Sequence, residues 1–456
     1  MSNNQVFDLI GIGIGPFNLG LAALSQTIPG LKALFLDQTE AFDWHPGLMI
    51  PDTRMQVPFY ADLVTLSDPG SSFSYMAYLK ASKRLFRFAI HENYFLTRSE
   101  YNRYCRWVAS QLPSLRFNSR CHQVLYDPDN REFTVITAAE KFKTRHLVIG
   151  TGTIPYVPPC AFGLPRSQCV HSGSYLHYKK SILDNRSVTL VGSGQSAAEI
   201  FLDLLGHREK FNQGIGWFTR SERFFPMEYS SLSLEMSTPD YIDHFFSLPR
   251  DKKKEVLSRQ DMLYKGINFS LIREIYDTLY DQDLEGKSGP VSLHTNCILQ
   301  TISRKDQYLK LGFQHNELGQ EFSHDTPMLI LATGYQNRVP CFLDSIKSLI
   351  HWNPTHQYEV SRNYTIDRHH RIFVQNAETH THGFNAADLS LGPYRNAVIL
   401  NTILGYTHYE TEQNITFQSF GIPPKYQKEE PDLVPEGFLS SFPANSKNPI
   451  VNPLPD

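Results

Sequence analysis

Cysteine is scarce in this chain. Its six residues, Cys105, Cys121, Cys160, Cys169, Cys297 and Cys341, form no CxxC or other close pair. That argues against a disulfide framework, a zinc site or a dithiol redox centre. Long apolar runs are also missing: no segment reaches the roughly 18 apolar residues of a membrane span. The start, "MSNNQVFDLIG", has no basic segment followed by an apolar one, so a secretory signal is not expected and a cytoplasmic protein is. Neither charge sign dominates. Forty-three basic against 46 acidic residues leave −3, which argues against a general nucleic-acid surface. The densest basic stretch, "RDKKKEV" at 250–256, is interspersed with acids and reads as a solvated helix face.

What is present fills 456 residues with 41% apolar content, enough for two or three domains with real cores. Two stretches carry the same pattern. In "FDLIGIGIGPFNLGLAAL" an apolar strand runs into Gly11 and Gly13, then Gly15-Pro16 and an apolar helix. Unpaired amides at such a helix start, at the positive end of its dipole, hold a pyrophosphate. The next apolar strand, "LKALFLD", ends in Asp37, placed for a ribose hydroxyl. Pro16 stands where a GxGxxG pattern has its third glycine. In the second unit Gly192 and Gly194 follow the strand "SVTLV", and Gln195, Ser196 and Ala197 open the helix. The strand after that, "GIGWFT", ends at Thr219-Arg220-Ser221 and not in an acid. Arginine and a hydroxyl favour a 2′-phosphate, so this unit should prefer NADPH to NADH.

The expected fold is α/β, with two Rossmann-like dinucleotide-binding domains and a small helical insertion. The apolar strands at 145–149 and 327–331 each break into a T-G turn and could return the chain from one domain to the other. The expected order is a first FAD-binding part at 1–165, an NADPH-binding domain at 166–325, a return to the FAD domain at 326–417, and an irregular tail at 418–456. Residues 225–290 lack strand alternation and read as the insertion, covering the cleft. One nucleotide unit then holds a flavin and the other delivers hydride to it. A disulfide reductase would need a cysteine pair. A Baeyer–Villiger enzyme would show FxGxxxHxxxW where this chain has "CVHSGSYL". An amine oxidase needs no second nucleotide unit. An NADPH-dependent monooxygenase of small molecules remains.

In order and spacing, "GIGIGPFNLGLAAL", "FDWHPGLMIPDTRMQVPF", "SEYNRYCRWVA", "VHSGSYL", "VGSGQSAAE", "STPDYIDHFFSLP" and "ATGY" resemble the microbial flavin-dependent N-hydroxylating monooxygenases of hydroxamate siderophore biosynthesis. The resemblance implies FAD, NADPH and O2 as reactants, and a substrate amine attacking a C4a-hydroperoxyflavin shielded by NADP⁺. It further implies Trp44, His45 and Gln56 against the flavin, with Gln56 beside the reacting ring. Asn268 would contact substrate, and Asn296 both nicotinamide ribose and amine. Ser390 would belong to the stretch closing over flavin and substrate, and the assembly would be a dimer or tetramer.

Where ornithine and lysine hydroxylases of that family have a carboxylate-binding lysine, "VPFYADLVTL" has Ala61. A carboxylate desolvated without a cation is costly, so the expected substrate is a diamine, putrescine ahead of cadaverine. An ornithine or lysine hydroxylase in which another cation such as Lys265 takes the carboxylate is the alternative. A flavin-dependent NADPH reductase without oxygenation is an alternative of another class. His380 and His382, two apart, lack an evident third ligand, and no metal site is expected.

Overall fold

The computed structural model describes residues 5–286 and 289–423. Residues up to Gln418 pack as one compact unit, and 424–456, most of the expected tail, lie outside the described residues.

The first part runs β1 (Val6–Ile12), α1 (Pro16–Gln26), β2 (Ala33–Leu36), α2 (Tyr75–Ala81), α3 (Leu85–His91), α4 (Arg98–Ala109), β3 (Leu115–Arg116), β4 (Gln123–Asp127), β5 (Glu132–Ile136), β6 (Lys141–Ile149) and β7 (Ile154–Pro155). The second runs β8 (Cys169–His171), α5 (Tyr175–Leu183), β9 (Ser187–Val191), α6 (Gln195–Leu205) and β10 (Gly214–Phe218). Five helices follow where the insertion was expected: α7 (Ser231–Leu234), α8 (Pro239–Ser247), α9 (Arg250–Arg259), α10 (Asp261–Tyr264) and α11 (Phe269–Leu284). Then come β11 (Val291–His294), β12 (Cys297–Lys305), β13 (Tyr308–His315), β14 (Glu321–Thr326), β15 (Leu329–Leu331), β16 (Tyr335–Gln336), β17 (Ile372–Val374), α12 (Thr379–His382) and α13 (Gly392–Leu404).

The strands sort into two main sheets. In the first, β1 lies between β2 and β6, all parallel, and β17 joins β6 in parallel. The other end of β6 pairs antiparallel with β5, so one long strand serves two partners along one edge. In the second, five parallel strands run β11-β10-β9-β15-β8. Parallel strands are covered on both faces, which is why "DLIGI", "VTLV" and "LIL" read as continuous apolar runs. In both sheets the strand that leads into the glycine turn is interior, with neighbours on either side. Ligands of open parallel sheets sit beyond the carboxyl ends of such strands.

Two features depart from the sequence expectation. β15 is in the second sheet, so the boundary expected at 325/326 moves past Leu331. The return runs through β16, which pairs with β7. Residues 297–326 form their own antiparallel sheet, β12-β13-β14, with Phe313 stacked on Phe218 at 4.5 Å between ring centroids.

Candidate active site

At the end of β1, Gly13 takes φ +91, and a Cβ there would drive into the Gly150 carbonyl at the end of β6. Only glycine allows both the conformation and the approach. Gly11 likewise presses on the Phe35 ring. Asp37 braces this turn: its Oδ2 accepts the Ile14 amide at 2.6 Å, and its Oδ1 accepts Thr39 N and Oγ1, both at 2.8 Å. Asn18 closes it from behind, giving Nδ2 to Gly13 O at 2.7 Å and accepting Gln375 Nε2 at 2.7 Å. Gly15 caps α1 without a side-chain bond, Pro16 occupies the first turn, and a Cβ on Gly15 would meet nothing within 4 Å. Pro16 costs nothing there, because its missing N–H belongs to the first turn, which lacks intrahelical acceptors. The open space in front of uncapped amides fits a dinucleotide pyrophosphate.

The second turn repeats the design. Gly192 at φ +154 leaves no room for a Cβ beside the Ala332 carbonyl. Gly194 caps α6, again without a side-chain bond, leaving the first-turn amides of Gln195 and Ser196 for an anion. At the end of β10, Thr219 Oγ1 accepts the Ser221 amide at 3.1 Å. Arg223 pairs with its neighbour Glu222. Arg220 is exposed and, among the described residues, in no ion pair. Asn296 adopts φ 59 and donates its amide to Ser221 O at 2.9 Å. Asn316 ties the two together, its Nδ2 on Arg220 O at 3.3 Å and its amide on Asn296 O at 2.8 Å.

Rings from three separate stretches of the chain gather together. The Trp44 and His45 rings are 5.1 Å apart, and Tyr335 lies 6.1 Å from His45 and 5.2 Å from His171. One face of α4 sets this loop. Asn102 Oδ1 accepts the Trp44 amide at 3.0 Å, and Arg106 holds Asp43 at 2.9 Å. These two residues are four apart and so share a helix face. His45 keeps solvent access, yet the surrounding protein first, and Arg98 second, lower its pKa to about 4. It is therefore neutral at pH 7. Gln56 gives Nε2 to Gly266 O at 3.3 Å, on the loop before α11. Two residues on, Asn268 is buried and donates its backbone amide to Gln195 Oε1 at 2.9 Å, while its own Oδ1 is buried and, among the described residues, without a partner. Leu48 and Ile50, from the first part, pack in the same core as Val170 and Ile200 of the second.

The L-lysine 6-monooxygenase/L-ornithine 5-monooxygenase family profile matches residues 5–337. The chain belongs to that family. Within it, this chain is 45% identical over 92% of its length to a putrescine N-hydroxylase of Shewanella oneidensis, covering 85% of that protein. It is 40% identical, again over 92%, to a putrescine N-hydroxylase of Acinetobacter baumannii, covering 95% of it. It also superposes on an FAD-bound cadaverine monooxygenase of Erwinia amylovora with TM-score 0.90 and 44% identity, covering 94% of this chain and 100% of that one.

Against this family background, the structure groups some sequence-predicted residues and separates others. Gln56, Asn268 and Gln195 meet through the 266–268 loop. Asn296 joins Arg220–Ser221 instead, and among the described residues no hydrogen bond links it to Gln56 or Asn268. Ser390 donates to Asp388 Oδ1 at 2.7 Å. The neighbouring Leu389 lines a small cavity with Pro16, Phe17, Asp62, Tyr101 and Asn396. Ala61 is buried, its amide on Pro58 O at 2.9 Å. Lys265 is committed to Asp261 at 2.7 Å. His380 and His382 lie on α12, bonded to Tyr358 O and Thr381 Oγ1 respectively. Arg98, Glu199, Asn316 and Tyr335 were not singled out from sequence. Only the glutamate within "GQSAAE" and the tyrosine of "ATGY" offered a signal, and that signal was their place inside a motif.

Proposed function

We propose that this chain N-hydroxylates one primary amine of a short aliphatic diamine, putrescine ahead of cadaverine, using FAD, NADPH and O2, and so supplies a hydroxamate siderophore precursor. The observation that carries the choice of a diamine is Ala61. It is buried and apolar where a carboxylate-binding cation would be needed, and Lys265, the other candidate, is already paired. The names of the relatives at 45% and 44% identity support the same reading.

In this reading the Gly13–Gly15 turn and α1 hold FAD, with Asp37 fixing the turn. The Gly192–Gly194 turn, Gln195 and Ser196 hold the NADPH pyrophosphate, and Arg220 holds its 2′-phosphate. Together the bound groups supply a hydride and an oxygen-reactive ring. The chain's own contribution is placement. Trp44 and neutral His45 wall the flavin side of the cleft and bring no positive charge against an incoming ammonium. Gln56 presents its carboxamide toward the 266–268 loop, and the free Oδ1 of Asn268 accepts an N–H of the substrate amine. A free alkylammonium has a pKa of about 10.4, and burial beside Asn268 favours the neutral, nucleophilic amine. Asn296, beside Arg220, lines the nicotinamide-nucleotide side, and Ser390 lies on the stretch next to the cavity before α1.

The test is the hydroxylamine product formed by the FAD-loaded protein with NADPH and O2, comparing putrescine, cadaverine, ornithine and lysine at equal concentration. Product from the diamines is the expected result. Product mainly from ornithine or lysine refutes the pocket assignment, and NADPH oxidation without any hydroxylamine refutes the reaction.

A further inference from the structure

Behind Asn268 runs a chain of buried polar groups that the reaction does not use directly. Arg98, the first residue of α4, reaches Glu199 on α6 at 3.0 Å. Glu199 Oε1 also accepts Gln195 Nε2 at 2.9 Å, and Gln195 Oε1 accepts the Asn268 amide at 2.9 Å. Gln195 and Glu199 are four apart and share one helix face. The Glu199 side chain is 1% exposed and that of Arg98 15%.

Packing does not call for this chain. The other buried residues of α6 include Ala197, Ala198, Ile200, Phe201 and Leu204, and an apolar side chain at 199 would fit among them at least as stably as an ion pair. The carboxylate does something an apolar group cannot. It only accepts hydrogen bonds, so it selects the NH2 end of the Gln195 carboxamide and turns the oxygen end to Asn268. A flipped carboxamide would set oxygen against oxygen and amide against amide. Burial pushes the Glu199 carboxyl up, and Arg98, 3.0 Å away, opposes that.

We propose that Arg98 and Glu199 are positioning residues of the substrate site, locking the Gln195 carboxamide so that the Asn268 loop, and with it the free Asn268 Oδ1, is fixed for the amine. This rests on the reading of Asn268 as a substrate contact. It also makes the substrate loop and the first turn of the NADPH helix one hydrogen-bonded unit.

Glu199→Gln keeps the size of the side chain and removes the acceptor-only selection. In the FAD-loaded enzyme, KM for putrescine should rise about tenfold, the size of one charge-assisted hydrogen bond. The rate of flavin reduction by NADPH should stay within about twofold. Arg98→Met, which keeps an apolar stem, should act in the same direction. In an Asn268→Ala background, Glu199→Gln should add no further rise. Amide hydrogen exchange over residues 262–270, measured without diamine, should quicken about tenfold in Glu199→Gln while α6 exchange is unchanged. An unchanged KM, a flavin reduction rate that falls in proportion, or unaltered loop exchange would overturn the proposal. Should the wild-type protein hydroxylate no diamine, the function assigned above fails, and the exchange experiment still decides whether Glu199 orders the loop.

Discussion

Gly13 and Gly15 sit two residues apart in the same turn, yet the structure assigns them different duties, and alanine should separate the two. At Gly13 the backbone is in the left-handed region at φ +91, and a Cβ would lie 2.8 Å from the Gly150 carbonyl carbon and 3.1 Å from Thr151 Cα. The conformation costs ~1–2 kcal/mol for a non-glycine residue. The clash is with backbone that cannot swing aside, which adds ~1–3 kcal/mol. Gly13→Ala should therefore destabilise the protein by ~2–5 kcal/mol even without flavin. Gly15 has φ −84 and open space around its missing Cβ, so Gly15→Ala should cost the apoprotein at most ~1 kcal/mol. Its methyl would, however, stand in front of the α1 amides, and FAD should bind at least tenfold more weakly. Thermal unfolding of the FAD-free proteins and fluorescence titration with FAD read the two effects separately. Native FAD affinity in Gly15→Ala would remove the pyrophosphate from this turn. Native stability in Gly13→Ala would refute the steric reasoning.

Three other outcomes follow from the same geometry. Arg220→Ala should raise the KM for NADPH at least tenfold and that for NADH less than twofold, and equal changes would take Arg220 out of the 2′-phosphate site. Ala61→Lys places an ammonium in a buried position against the remaining ammonium of the bound diamine, so diamine kcat/KM should fall at least tenfold, and unchanged kinetics would sink the pocket assignment. His382 is buried and stacked on Tyr364, and burial followed by Arg362 holds its pKa well below the usual value. Its stabilising effect is thus present above the unfolded pKa of about 6.5 and is lost as pH falls, by ~1.4 kcal/mol per unit. His382→Gln should make the drop in stability between pH 7 and pH 5 smaller, and an identical drop in both proteins would show that His382 is not the group responsible.

The two strand–glycine–helix units were legible because each is local. A few glycines and an apolar run decide the turn, the burial of the strand and the start of the helix within about fifteen residues. The family was legible for a similar reason, since its motifs are short and ordered along the chain. What α4 is for was not legible. "SEYNRYCRWVA" carries part of the family resemblance, but that Asn102 holds Trp44 and that Arg98, just before the run, reaches Glu199 depends on partners far away in sequence. The boundary expected at 325/326 failed likewise: an apolar triplet such as "LIL" carries no mark of which sheet will pair it, and hydrogen bonding to β8 and β9 placed it in the second. Asn296 shows the same limit, because the left-handed turn that lays it beside Ser221 is set by its neighbours in space.

The sequence by itself thus determined the α/β class, the two glycine turns, the missing acid that makes room for Arg220 and the missing lysine at Ala61, all carried by residue type at a local position. Only the tertiary structure decided that the 266–268 loop meets Gln56 and Gln195, and that Arg98 reaches Glu199. Those depend on groups brought together across 73 to 210 residues, and no local pattern encodes a distance of that kind.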